Sequence, residues 1–277
     1  MRWAVVCIVG FAASSWAQAA EQSAGDPVTP SPITDRFALS GGFFHAAVST
    51  EGRVDDTSAD ATTTIPGTPF SAEKDFNLPD RSDQLRVEIM VRMSDRNKLR
   101  VDMFDMQRKG TATVTQEYFY GGTTVEPGDV IVSHFDWRQF GFTYTHSFVR
   151  NDRFELGAGL GLYAIQAEAS AQRASPPAHE DFSGAGPFPT LAVDAAWRVW
   201  RQLALSARAN YLKLTVDNIT GKLADYSADL QYRWNANLAV GVGYELQDVT
   251  LNLPEESPSG FMHLKLNGPK AFVRVSF

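Results

Sequence analysis

From about residue 35 onward the chain keeps a period of two, and that pattern admits strands whose two faces differ chemically. Leu85, Val87, Ile89, Val91 and Met93 alternate with Arg86, Glu88, Met90 and Arg92. Leu191, Val193, Ala195, Trp197 and Val199 alternate with Thr190, Ala192, Asp194 and Arg198. Further on, Ala224, Tyr226, Ala228, Leu230, Tyr232 and Trp234 are set against Asp225, Ser227, Asp229, Gln231 and Arg233. No amphipathic helical stretch of useful length competes. Segments of this kind fall at 36–49, 84–93, 99–108, 130–148, 154–169, 187–199, 203–216, 223–234, 238–250 and 260–277, ten in all. Most exceed the roughly 9–11 residues that a tilted strand needs to cross a hydrocarbon layer.

Alternation alone does not say which face looks outward, since a soluble barrel alternates too, with its apolar face inside. The connections decide. Those at 94–98, 149–153, 200–202 and 235–237 are short, whereas 50–83, 109–129, 170–186 and 251–259 are long, with 217–222 the exception. Tight turns at one rim and long loops at the other predict an all-β, antiparallel up-and-down transmembrane barrel. Phe148, Phe154, Trp197, Trp200 and Trp234 crowd the short-turn rim, as a periplasmic aromatic girdle would. Eight or twelve strands stay open, because the third strand can run on through Thr111 to Tyr120. A soluble periplasmic β-protein is the competing fold.

Both ends agree with export. Arg2, the apolar run Trp3 to Ala13 and Ala17-Gln18-Ala19 have the layout of a secretory signal peptide, so 1–19 is expected to be cleaved. Residues 20–34, rich in Pro, Ser and small residues, read as a flexible periplasmic tail before a barrel over 35–277. The single cysteine, Cys7, lies inside the signal, which leaves no disulfide to staple the fold. The net charge of −7 carries no basic patch, which argues against nucleic acid as a partner. At the other end Val273, Val275 and Phe277 share one face and Arg274 and Ser276 the other. This resembles the final strand of bacterial outer-membrane barrels, whose aromatic last residue is read by the barrel-assembly machinery.

If the apolar face meets lipid, the other face lines the bore. Its basic members are Arg86, Arg92, Arg100, Arg198, Arg208, Arg233, Lys270 and Arg274, and its acidic ones Glu88, Asp102, Glu155, Asp194, Asp225, Asp229 and Glu245. Facing lipid, each charge would cost roughly 2–4 kcal/mol at the midplane. Eight cations against seven anions predict an ion-paired plug in a cylinder only slightly wider than one its own side chains fill.

No motif carries chemistry. Gly157, Gly159 and Gly161 lack the strand–helix context of a dinucleotide loop and instead fall on the inward face, making room for long Arg and Tyr side chains. His134 and Asp136 share a face without an evident nucleophile, and His179-Glu180-Asp181 reads as a solvated loop cluster rather than a metal site. Loop 50–83 holds eight acids against three bases, a net of −5 that keeps the loop soluble or draws divalent cations near lipopolysaccharide phosphates. The arrangement resembles the small outer-membrane barrels of the OmpA-transmembrane and OmpW type, with a strand count nearer the omptins. Omptin proteases pair acidic residues with an Asp-His dyad and lipid A deacylases use His-x-Ser on one strand; neither pattern is visible here. The resemblance lies in architecture, signal and terminal strand and transfers no function; with no catalytic pattern, the expectation is a non-enzymatic barrel in contact with outer-membrane lipid and lipopolysaccharide, structural, binding through its loops or passing small solutes slowly, with no cofactor or metal. A barrel enzyme acting on lipid or peptides is the alternative, and a surface adhesin using the acidic loop the third.

Overall fold

The computed structural model describes residues 30–57, 64–120, 123–173, 178–216, 219–253 and 260–277, so the signal segment and most of the tail lie outside it. Ten strands form the wall: β1 (Phe37–Val54), β2 (Arg81–Ser94), β3 (Asn97–Thr113), β4 (Val130–Arg150), β5 (Phe154–Arg173), β6 (Ala178–Arg198), β7 (Leu203–Val216), β8 (Ile219–Arg233), β9 (Leu238–Leu253) and β10 (Gly260–Ser276). Each pairs antiparallel with its neighbour in sequence, and β10 pairs with β1 from Ala38↔Ser276 to Val54↔Gly260, so the sheet closes. The β1–β10 seam satisfies the two terminal edges that hydrocarbon would leave bare.

The aromatic residues of the short-turn rim sit at the barrel surface. Phe148, Trp197, Trp200, Trp234 and Phe277 all project outward and exposed, Phe154 is half-buried, and Phe37 lies with its ring 6.4 Å from that of Phe277. Val273 and Val275 point outward on β10. The backbone of Phe277 completes the seam, donating to Phe37 O (2.9 Å) and accepting from Arg36 N (2.9 Å) and Phe37 N (3.0 Å).

Three expectations need correction, two of them at the other rim. The connection placed at 170–186 is mostly strand: β5 and β6 pair up to Arg173↔Ala178. Gly184 and Gly186 with Ser170 and Ser183 signal a loop there, yet the strand extends beyond Pro187 and Pro189; among the described residues β6 above Leu191 pairs with β5 only, and proline is tolerated on a strand with one free edge. Loop 50–83 is not simply a solvated acidic loop. Phe70–Ser71 adds a rung to β1, and the helical turn Ala72–Asp75 dips into the mouth with Ala72 and Leu78 buried. Finally, residues 30–34 are not a flexible tail. Ser31 N donates to Thr34 Oγ1 (2.8 Å) and Thr34 N to Ser31 O (2.9 Å), forming a tight hook whose Ile33 is 2% exposed.

Candidate functional site

The side chains inside the barrel form stacked layers, beginning at the short-turn end with the hook. Asp35, the residue that ends the hook, accepts from Arg233 Nη2 at 2.6 Å and lies 3.7 Å from Arg274 Nε. The hook's carbonyls accept from two arginines: Pro32 O and Asp35 O from Arg92 (3.4 and 3.1 Å), and Ile33 O from Arg150 (3.1 Å). A turn with no regular partner thus finds its hydrogen bonds on guanidinium groups fixed by β2, β4, β8 and β10.

Directly above, Arg92 grips Glu155 with both terminal nitrogens (2.7 and 2.9 Å), and Ser147 Oγ donates to the same carboxylate at 2.5 Å. Lys98 bridges Glu155 (3.4 Å) to Asp194. The side chains of Arg92 and Glu155 are 2% and 1% exposed, so each charge depends on the other rather than on water. In the next layer Glu88 meets Arg208, Arg100 (3.6 Å) and Arg274 (3.9 Å). Asp229 takes Lys270 (2.8 Å) and Arg208 (3.7 Å), while Glu245 takes Arg86 (2.5 Å) and Lys270 (3.4 Å). Between these layers lies a cavity of about 120 Å³, room for several waters. Asp102 and Asp225 also line it, and Tyr163 donates to Asp225 at 3.4 Å.

Above the cavity the interior turns apolar. The Arg86 guanidinium sits 4.6 Å from the Phe44 ring centre and 3.9 Å from that of Phe104, closing the charged zone with a cation–π sandwich. Phe44, Met106, Trp137, Tyr163, Leu223, Leu264 and Leu266 follow, each under 2% exposed, in one cluster that fills the bore. At the top Glu73, carried by the helical turn of the first loop, accepts from Arg108 Nη1 (2.6 Å) and Thr50 N (2.9 Å). Arg108 also donates to Thr50 Oγ1 (2.5 Å) and Pro79 O (3.2 Å). A second cluster of Val114, Tyr118 and Ile131, with Phe70 and Phe76 packed on it, ties the first and second long loops into one folded head.

Of the lumen set read from the sequence, Arg86, Glu88, Arg92, Arg100, Glu155, Asp194, Arg208, Asp229, Arg233, Glu245 and Arg274 all enter ion pairs. Arg198 lies half-buried at the lower rim. Sequence reasoning missed Asp35 and Lys98. Lys98 shares the parity of Arg100 and Asp102, which would have revealed it had 94–98 not been read as a turn. The glycine expectation needs refinement: a Cβ at Gly157 would lie 3.1 Å from Asp194 Oδ1 and one at Gly161 would collide with Thr190 Oγ1. The room serves short polar side chains rather than Arg or Tyr.

The histidines lie elsewhere. His45 Nδ1 is 2.6 Å from Asp83 Oδ1 on the outer wall, and His263 Nε2 is 3.4 Å from Asp248. His146 meets Asn97 (2.8 Å). His134 and Asp136 stand on the outward face of β4, and 179–181 belong to β6 rather than to a loop. Among the described residues no three His, Cys, Asp or Glu side chains converge as a metal site would require.

No protein-family model matches the sequence, and no curated protein matches it. Solved structures do. The outer membrane protease OmpT of Escherichia coli aligns over 87% of this chain and 96% of its own, with a TM-score of 0.57 at 10% identity. Ail of Yersinia pestis (TM-score 0.36, 10% identity, 85% and 97% covered) and OprG of Pseudomonas aeruginosa (0.31, 10%, 87% and 95%) are more distant. At such identities the likeness to OmpT shows the fold alone: an all-β, closed ten-stranded antiparallel barrel of the outer-membrane kind.

Proposed function

We propose that this is a non-enzymatic barrel of the outer membrane, sealed along its axis, which acts as an envelope scaffold and binds through its folded outer head. The filled bore carries this reading. The hook occupies the lower mouth, ion pairs occupy the middle, and above them Phe44, Trp137, Tyr163, Leu264 and Leu266 pack at under 2% exposure. Ions crossing that upper layer would shed their hydration among side chains that offer few polar partners, which costs far more than a pore tolerates. Slow passage of solutes, the other role the sequence allows, therefore ranks below scaffolding. The test is planar-bilayer recording with purified full-length protein: the reading expects no steady current, and openings of general-porin size overturn it.

A barrel enzyme is the second reading, favoured by the His45–Asp83 pair, an imidazole held by a carboxylate on the outer wall. A base needs a nucleophile in reach. Among the described residues none of His45, His134, His146 or His263 is hydrogen-bonded to Ser, Thr or Cys. Hydrolysis of lipid or peptide by the purified barrel, abolished by His45→Ala, would establish this reading against the first.

A further inference from the structure

Acceptors and donors without partners converge on the cavity in the middle of the bore. Among the described residues Asp102 makes no hydrogen bond or ion pair, and Asp225 has only the Tyr163 hydroxyl at 3.4 Å. Asp225 is the cross-strand partner of Asn210, which lines the cavity at 7% exposure with no hydrogen-bond partner for its Oδ1. Asp102 leans over Gly141, where an added Cβ would lie 2.6 Å from its Oδ1. Tyr163 is the next residue in that cross-strand row, which puts both carboxylates around it.

The donors are as incomplete. Arg86 commits Nη1 to Glu245 (2.5 Å) and its faces to Phe44 and Phe104, while Nε and Nη2 are buried without a partner. Arg100 comes no closer than 3.6 Å to a carboxylate, and its cross-strand partner Thr143, 2% exposed, has an unpartnered Oγ1. Buried polar atoms without partners are costly, charged ones most of all. Their signs say what would fit. A simple anion would leave Asp102, Asp225 and Asn210 unpaired, and a simple cation would leave Arg86 and Arg100. Water supplies hydrogen bonds to all of them but no charge. Six cationic and seven acidic side chains line the cavity, so a ligand of high net charge of either sign is excluded. A volume of about 120 Å³ limits the ligand to a few heavy atoms.

We propose that this cavity binds a small zwitterion with a primary ammonium group, such as an amino acid with a short side chain. The ammonium sits among Asp102, Asp225 and Asn210, and the carboxylate is met by Arg86, Arg100 and Thr143. The apolar layer closes the site above, whereas Pro32 of the hook forms part of its lining, so the ligand enters from the periplasmic side when the hook swings out. The inference rests on the closed barrel and adds a small-molecule partner on its inner side, apart from whatever the outer head binds.

The full-length barrel is purified in detergent, its closure is verified by a heat-dependent gel shift, and binding of radiolabelled glycine is measured by equilibrium dialysis. One saturable site per barrel is expected. Unlabelled alanine should compete, whereas acetate, methylamine and glycine betaine should not, since they lack the ammonium, the carboxylate and every N–H respectively. Asp225→Asn and Arg86→Gln should each weaken binding roughly tenfold or more. Lys109→Gln, exposed on the outer wall of β3, should leave the affinity unchanged. Deleting residues 20–35 should speed release of bound glycine. No saturable site at millimolar glycine, equal competition by acetate or methylamine, or full affinity in both Asp225→Asn and Arg86→Gln would each overturn the proposal. Unchanged release from the truncated chain would overturn entry past the hook. Absence of the gel shift would instead refute the closed barrel on which the site rests.

Discussion

Replacing Arg92 by Met tests whether the lower lumen works as a unit. The change removes both contacts to Glu155 and the donors to Pro32 O and Asp35 O, and leaves Glu155, 0% exposed, with Lys98 at 3.4 Å and Ser147. Removing one partner of a buried pair costs about 3–5 kcal/mol, because the other charge stays buried without compensation. Lys98 offsets part of that, which places Arg92→Met near 3 kcal/mol. Glu155→Met strands Arg92 on the hook's carbonyls and Lys98 on Asp194, and belongs in the same range. Neither charge remains in the double variant, so its loss should fall short of the sum by at least 2 kcal/mol. Equilibrium unfolding from phospholipid vesicles reads this, with the outward-facing Trp197, Trp200 and Trp234 reporting exit from lipid by their fluorescence. Losses that add to within about 0.5 kcal/mol would show two independent side chains and refute the coupled network.

The hook and the dry core make separable claims about sealing. Deleting residues 20–35 should let a thiol reagent reach Ser227→Cys in the cavity from the periplasmic side, yet raise no steady bilayer current, because the packed layer above remains; a current would mean the hook alone is the seal. Arg96→Cys, Asn151→Cys, Arg201→Cys and Ala236→Cys should stay unlabelled in intact cells until the outer membrane is permeabilised, while Glu117→Cys on the exposed head labels at once; the reverse pattern would invert the topology. Arg108→Ala removes the Glu73, Thr50 and Pro79 contacts, so amide exchange over 72–79 should quicken at least tenfold while the gel shift persists. Unchanged exchange would show that the loop is held by its apolar contacts instead.

What was legible follows from parity. Around the cavity the lumen charges of β2 and β8 share their strand's inward parity, so Arg86, Glu88 and Arg92, or Asp225, Asp229 and Arg233, could be assigned from the sequence. The hook was not legible, because Ser31 to Asp35 has no period and owes its order to guanidinium groups distant in sequence, Arg92 and Arg233 among them. Nor was the length of β6. Gly184, Gly186 and Ser183 carry a local loop signal, and nothing in their order shows that they pair with β5 residues as far as Arg173↔Ala178.

The upper half was hidden for a different reason: the chemistry of the two faces exchanges while the geometry does not. On β4 the even positions point outward throughout, yet they read His134, Asp136 and Arg138 above and Phe140, Phe142 and Tyr144 below, while inside Phe135 and Trp137 give way to Thr143, Thr145 and Ser147. In the sequence this exchange appears as two apolar neighbours breaking the alternation. Phe43-Phe44 on β1, Met103-Phe104 on β3 and Leu162-Tyr163 on β5 each put their first member outside and their second in the core. Such doublets mark where the outside stops being lipid. Asp105 and Arg138, paired at 3.3 Å and about half exposed on the outer wall, could not stand below that line without each incurring a cost of up to roughly 2–4 kcal/mol. Phe43 lies six positions from Phe37, Met103 six from Asn97, Leu162 eight from Phe154 and Phe140 ten from Arg150, about 15–25 Å above the short-turn rim at ~2.5 Å of height per residue. The upper end of that range is the thickness of an outer-membrane apolar band, so the exchange marks the barrel's depth in the bilayer. It also explains the dry core: above the line the wall faces water, and a barrel in water keeps its apolar side chains inside.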